Sequence, residues 1–139
     1  MPTIESLEAL LKPLLPGLLG IRLTEADKDR VVATMLVRPD LCTTGGVLHG
    51  GAMMAFADTL GAVATFQNLA PGARTTTVDS ATKFIGSAAQ GSTVVGECTP
   101  FHRGRTTMVW QTLIKSDSGK LCAVVTQTQL ILPAGASAR

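Results

Sequence analysis

The stretch GGAMMAFADTLGAVATFQ, residues 50–67, decides how the rest of the chain must be arranged. Its side chains are long or small and apolar almost all round, and Asp58 is its sole ionisable group. A helix apolar on every face is a buried helix, so something must wrap it. The flanking sequence supplies the wrapping. Downstream, Thr75–Ile85, Ser92–His102, Thr106–Asp117 and Lys120–Leu132 read as four strands, separated by turns at Gly86 to Gly91, Arg103-Gly104-Arg105 and Ser118-Gly119. Met108, Trp110, Thr112 and Ile114 show the two-residue alternation of a sheet with two different faces.

Upstream, Ile21 to Thr24 and Val31 to Val37 form a predicted hairpin around the polar turn Glu25 to Asp29. Before it, Ile4, Leu7, Leu10, Leu11, Leu14 and Leu15 recur at helical spacing behind a Thr3 N-cap, which predicts one amphipathic helix over about 3–15, stopped near Pro16 and Gly17. The order is helix, hairpin, apolar helix, four antiparallel strands. It describes an α+β fold in one domain over 1–139, an antiparallel sheet curled around a long central helix with an extra N-terminal helix. A small-residue tail at about 134–139 is expected to be flexible. A curled sheet keeps an exposed edge, so pairing between two copies is expected.

Composition narrows the function. Net charge is +2, the twelve Lys and Arg are scattered and aromatics make up 4% of the chain, which argues against a nucleic-acid partner. Cys42, Cys98 and Cys122 form no CxxC pair, and an odd count at wide spacing fits neither a disulfide framework nor a structural zinc site. With two His in the chain, no metal is expected. Leu14 to Ile21 is interrupted by Pro16, Gly17 and Gly20, and no segment reads as a leader or a membrane span. The expected setting is the reducing cytoplasm.

Asp58 is then the outlier. Burying an unpaired carboxylate costs several kcal/mol or forces it to stay protonated. It could lie on a solvent-facing stripe or cap a neighbouring element. Yet Ala55, Leu60, Gly61 and Ala62 around it are apolar, so a general base or nucleophile in a water-poor cleft is the better reading. Just before the helix, Gly45-Gly46-Val47-Leu48-His49-Gly50-Gly51 would let a substrate oxygen approach free backbone N–H groups at the positive end of the helix dipole, a ready oxyanion hole. The glycines could equally serve only a tight turn, and His49 could simply fix the backbone there. Gly50 and Asp58 are eight residues apart, roughly 12 Å at about 1.5 Å per residue. One chain cannot easily aim both at one carbonyl. Two antiparallel copies can, which predicts a composite site used twice per dimer.

The segment GGVLHGGAMMAFADTLGA, residues 45–62, strongly resembles the HGG…D signature of hotdog-fold thioesterases, in particular the phenylacetate-pathway (PaaI-like) group. Thr75-Thr76-Thr77-Val78-Asp79 with Lys83-Phe84-Ile85 looks like that family's next strand, and His102 to Thr106 like its central hairpin. The resemblance covers roughly residues 30–132 and implies hydrolysis of an acyl-CoA thioester without a cofactor, CoA being part of the substrate. It implies that Asp58 is the general base or nucleophile, that the Gly50 N–H polarises the carbonyl from the opposite subunit beside Gly51, that His49 shapes the turn, and that Thr77, or Thr76 in another register, holds the attacking water. Many relatives carry Asn or Gln seven residues before the first glycine of HGG; here Thr43 stands there, and a hydroxyl cannot reproduce an amide's donor–acceptor pair. Lys83, Arg103, Arg105 and Arg74 are candidate contacts for the nucleotide phosphates. Met53, Met54, Phe56 and Ala57 are candidate lining for the acyl group. The implied assembly is a homodimer, with dimers pairing into a homotetramer. Two other functions use the same helix: hydration of an enoyl or hydroxyacyl thioester, which needs a His paired with the acid, and non-catalytic acyl-CoA binding.

Overall fold

The computed structural model describes residues 1–135; the far part of the expected tail, from 136 on, lies outside the described residues. In chain order the elements are α1 (Ile4–Leu11), α2 (Leu15–Leu18), β1 (Arg22–Ala26), β2 (Val31–Leu36), a 3-10 turn (Pro39–Leu41), β3 (Cys42–Thr43), β4 (Val47–Leu48), α3 (Gly50–Phe66), β5 (Arg74–Phe84), β6 (Thr93–Arg103), β7 (Thr107–Ser116) and β8 (Leu121–Leu132). The six long strands make one antiparallel sheet in the order β1-β2-β6-β7-β8-β5. Strands β2, β5, β6, β7 and β8 all touch α3, so the sheet curls around it as the hotdog fold requires. No described helix is long and apolar enough to cross a membrane.

The expected N-terminal helix ends early. Thr3 does cap it, its side chain accepting from the Ser6 N–H at 3.2 Å. Lys12 still bonds to the Glu8 carbonyl, but Pro13 has no N–H to continue the ladder, and the chain restarts as the separate turn α2. This N-terminal segment is fastened to the hairpin: Glu8 pairs with Arg22 at 3.0 Å and accepts from the Leu23 N–H, while Gln67 donates to the carbonyls of Pro2 and Ala26.

Helix α3 is buried on the side the sheet covers, where Met53, Phe56, Ala57, Leu60, Val63 and Ala64 enter the core. Its close seat depends on Gly96 in β6, where a Cβ would lie 2.8 Å from Leu60 and 3.0 Å from Phe56. The rest of the helix is only partly covered, meeting the sheet at Asp58 and the α1–α2 segment beyond it. Ala55, Asp58, Thr59 and Ala62 there are half-buried and Phe66 is exposed, which corrects the expectation of burial all round and gives Asp58 its access.

Candidate active site

His49 precedes α3 with extended backbone and acts as its N-cap. Its Nδ1 accepts from the Gly51 N–H at 2.7 Å, and its carbonyl accepts from Ala52 and Met53. Of the first-turn N–H groups, Gly50's has no acceptor among the described residues. The two glycines have separate reasons. A Cβ at Gly50 would touch the Phe84 ring at 3.0 Å, and one at Gly51 would press to 2.9 Å on the capping nitrogen of His49. Gly45 and Gly46, by contrast, adopt positive φ and serve the turn between β3 and β4.

Two turns into α3, Asp58 meets the sheet. The Thr77 hydroxyl donates to Asp58 Oδ1 at 2.7 Å, and Gln127 Nε2 donates to the same oxygen at 3.2 Å. Thr77 is aimed there by a bulge in β5, where the pairing steps from Thr77↔Gln129 to Asp79↔Thr128 and leaves Val78 unpaired. In this register it is Thr77 that reaches Asp58, while Thr76 pairs with Leu130 and its side chain points to the other face. Because its one proton goes to Asp58, Thr77 can only accept from a water.

Asp58 also lines a cleft of about 400 Å3 between α3 and the α1–α2 segment, walled by Leu7, Leu10, Leu11, Leu15, Val63 and Phe66. Of the side chains expected to line the acyl group, Phe56 and Ala57 lie in the core on the covered side of α3, Met53 is buried but lines a second pocket with Gly50 and Phe84, and Met54 is exposed. Thr43, in β3, is exposed. Lys83 and Arg105 are exposed, but the Arg103 guanidinium is already engaged, with Asp29 at 2.7 Å and the Lys28 carbonyl at 2.9 Å. Among the described residues no three His, Cys, Asp or Glu come together as a metal would need.

A family model described as the thioesterase superfamily matches residues 45–123, the span from the β3–β4 turn into β8. The chain belongs to the thioesterase superfamily. It is similar to the 1,4-dihydroxy-2-naphthoyl-CoA hydrolase of Escherichia coli, 32% identical over 94% of this chain and 95% of that one. It also resembles the crystal structure of a thioesterase from Haemophilus influenzae, at 29% identity and a TM-score of 0.93 over 100% of this chain and 96% of the other. The E. coli PaaI protein from the phenylacetic acid degradation operon shares the fold, at 21% identity and a TM-score of 0.85 over 96% of this chain and 95% of the other. The chain is accordingly a hotdog-fold thioesterase, an enzyme that hydrolyses thioesters.

Two features of the site were not anticipated. Gln127 and Gln129 lie fully buried beside Asp58, and the N-terminal segment, expected to be a mere addition, forms one wall of the cleft. For the glutamines a signal existed: strict alternation along β8 from Ala123 and Val125 carries 127 and 129 inward.

Proposed function

We propose that the chain is an acyl-CoA thioesterase in which Asp58 of one subunit acts on a carbonyl held by the Gly50 N–H of another. The observation that carries this reading is the split between the two groups. The chain leaves the Gly50 N–H without an acceptor of its own, yet spends its polar contacts on Asp58 two turns further along the same helix. A second subunit resolves the separation, and the unpaired edge of β5, with exposed Val78 and Phe84, is the surface on which it would pair.

In the water-activation route Asp58 takes a proton as the water oxygen bonds to the thioester carbon. The negative charge on the carbonyl oxygen meets the Gly50 N–H, the C–S bond breaks, and CoA thiolate leaves to recover the proton. In the nucleophilic route a carboxylate oxygen bonds to the thioester carbon, the C–S bond breaks and CoA thiolate leaves. Water then opens the mixed anhydride to the free acid, restoring the carboxylate and giving up a proton to the thiolate. The acyl group enters the cleft beside Asp58. Thr59 spends its proton on the Ala55 carbonyl, and the Thr75 hydroxyl is engaged by Gln129 and the Leu130 carbonyl. The lining therefore suits an apolar acyl group, aliphatic or aryl, of medium size. Lys83 and Arg105 remain available to the nucleotide phosphates. The protein acts in the cytoplasm and needs no cofactor.

Asp58→Asn should abolish thiol release from a panel of acyl-CoAs while leaving the fold intact; near-wild-type turnover would sink the reading. The composite site has its own test. Gly50→Pro deletes the N–H at a helix position that tolerates proline. Mixing inactive Asp58→Asn and Gly50→Pro subunits should restore about a quarter of wild-type activity, because half the dimers are mixed and each has one intact site. No recovery after verified subunit exchange would place both groups in one chain.

A further inference from the structure

We propose that Gln127 and Gln129 are positioning residues that hold Asp58 by Oδ1 alone, so that Oδ2 is the oxygen that acts on the thioester or its water. The inference rests on the assignment of Asp58 as the catalytic carboxylate and concerns residues that assignment leaves out.

The argument is one of direction. The Thr75 hydroxyl lies 2.8 Å from Gln129 Oε1; Gln129 Nε2 donates to Thr77 Oγ1 at 2.6 Å and toward Gln127 Oε1 at 3.4 Å. Thr77 then donates to Asp58 Oδ1 at 2.7 Å and Gln127 Nε2 to the same atom at 3.2 Å. Each amide fixes the other's orientation, because turning either one by 180° would set donor against donor or acceptor against acceptor. The Thr75 hydroxyl also lies 3.0 Å from the Leu130 carbonyl, but the bonds donated by Gln129, Thr77 and Gln127 all run toward one carboxylate oxygen. Oδ2 has no partner among the described residues, on a side chain that lines the cleft.

Both glutamines have no exposed surface. Buried amides are costly unless their bonds are made, and a pair of apolar side chains would fill the same space without that cost. The helix is also shaped to admit them: Gly61 has no Cβ because Gln127 Oε1 stands 1.1 Å from where one would be. A helix-interior glycine is itself unfavourable relative to alanine. The chain thus accepts a poorer helix and two buried amides at the one place where Gln127 reaches Asp58 directly and Gln129 reaches it through Thr77.

The test is steady-state kinetics on Gln127→Met and Gln129→Met, which keep length and burial but remove the donor. Each should lower kcat at least tenfold with KM within twofold of wild type, and with Trp110 fluorescence unchanged. The double variant Gly61→Ala with Gln127→Ala refills the space without an amide; it should fold and keep the low kcat, and it decides the matter if the Met variants fold poorly. Thr77→Ser should retain most of the kcat that Thr77→Val loses. A kcat within twofold of wild type in the Met or the double variants would overturn the proposal and leave the glutamines as packing. Failure of Asp58→Asn to abolish turnover would instead overturn the catalytic assignment, so the two readings fail separately.

Discussion

The indole N–H of Trp110 donates to Oγ1 of Thr65 at 2.8 Å, and Thr65 passes its own proton to the Gly61 carbonyl at 2.9 Å. Both residues have no exposed surface, and this link ties β7 to the last turns of α3. Thr65→Val should leave the indole N–H unpaired in the core and destabilise the fold by about 1–3 kcal/mol. Trp110 is the chain's one tryptophan, so its fluorescence through a urea titration reads the effect directly. An unchanged midpoint would mean that the indole finds another acceptor.

The imidazole of His49 has a measurable structural duty. His49→Ala removes the cap of α3 and should cost about 1 kcal/mol, whereas His49→Asn supplies an equivalent cap and should keep both stability and turnover. Gly51→Ala should behave like the Ala variant, since its methyl group presses on the capping nitrogen. If the Asn variant is stable yet inactive, the imidazole contributes to the chemistry itself.

Burial pushes the Cys98 thiol up to about 12 from an ordinary value of 9.0. The unfolded chain therefore releases this proton near pH 9 while the folded chain retains it, so folding loses stability as pH rises between those values and gains nothing below them. Urea midpoints of wild type and Cys98→Ala should differ by a constant amount up to about pH 8 and converge above about pH 9. Native-state labelling at neutral pH should modify Cys42, half-buried, and spare Cys98 and Cys122.

The cleft beside Asp58 can be filled from within. Ala62 lies one turn beyond Asp58 on its wall, and Ala62→Phe should raise KM for long and aryl acyl-CoAs while leaving acetyl-CoA hydrolysis within a few-fold. Equal effects on short and long substrates would move the acyl group elsewhere.

The strands from β5 onward were legible almost to the residue, because glycine-bearing turns separate runs of alternating polarity, and α3 because no polar stripe interrupts it. Asp58 stood out for the same reason. The break after Leu11 was hidden by leucines that keep helical spacing across Pro13. The engagement of Arg103 left no local trace, since Asp29 lies far away in sequence and meets it only through the fold. Thr77's partner was likewise a product of strand register and one bulge, which composition does not encode.

The roof of the cleft comes from residues 7–16, outside the 45–123 span that carries the family signature. On the proposed reading, the reacting groups and one wall of the acyl cleft are thus separate stretches of chain, joined through Glu8, Gln67 and a few apolar contacts. Such a part is exchangeable. Grafting the matching N-terminal segment of a relative onto this body offers a way to retune which acids are released while the proposed reacting groups stay untouched.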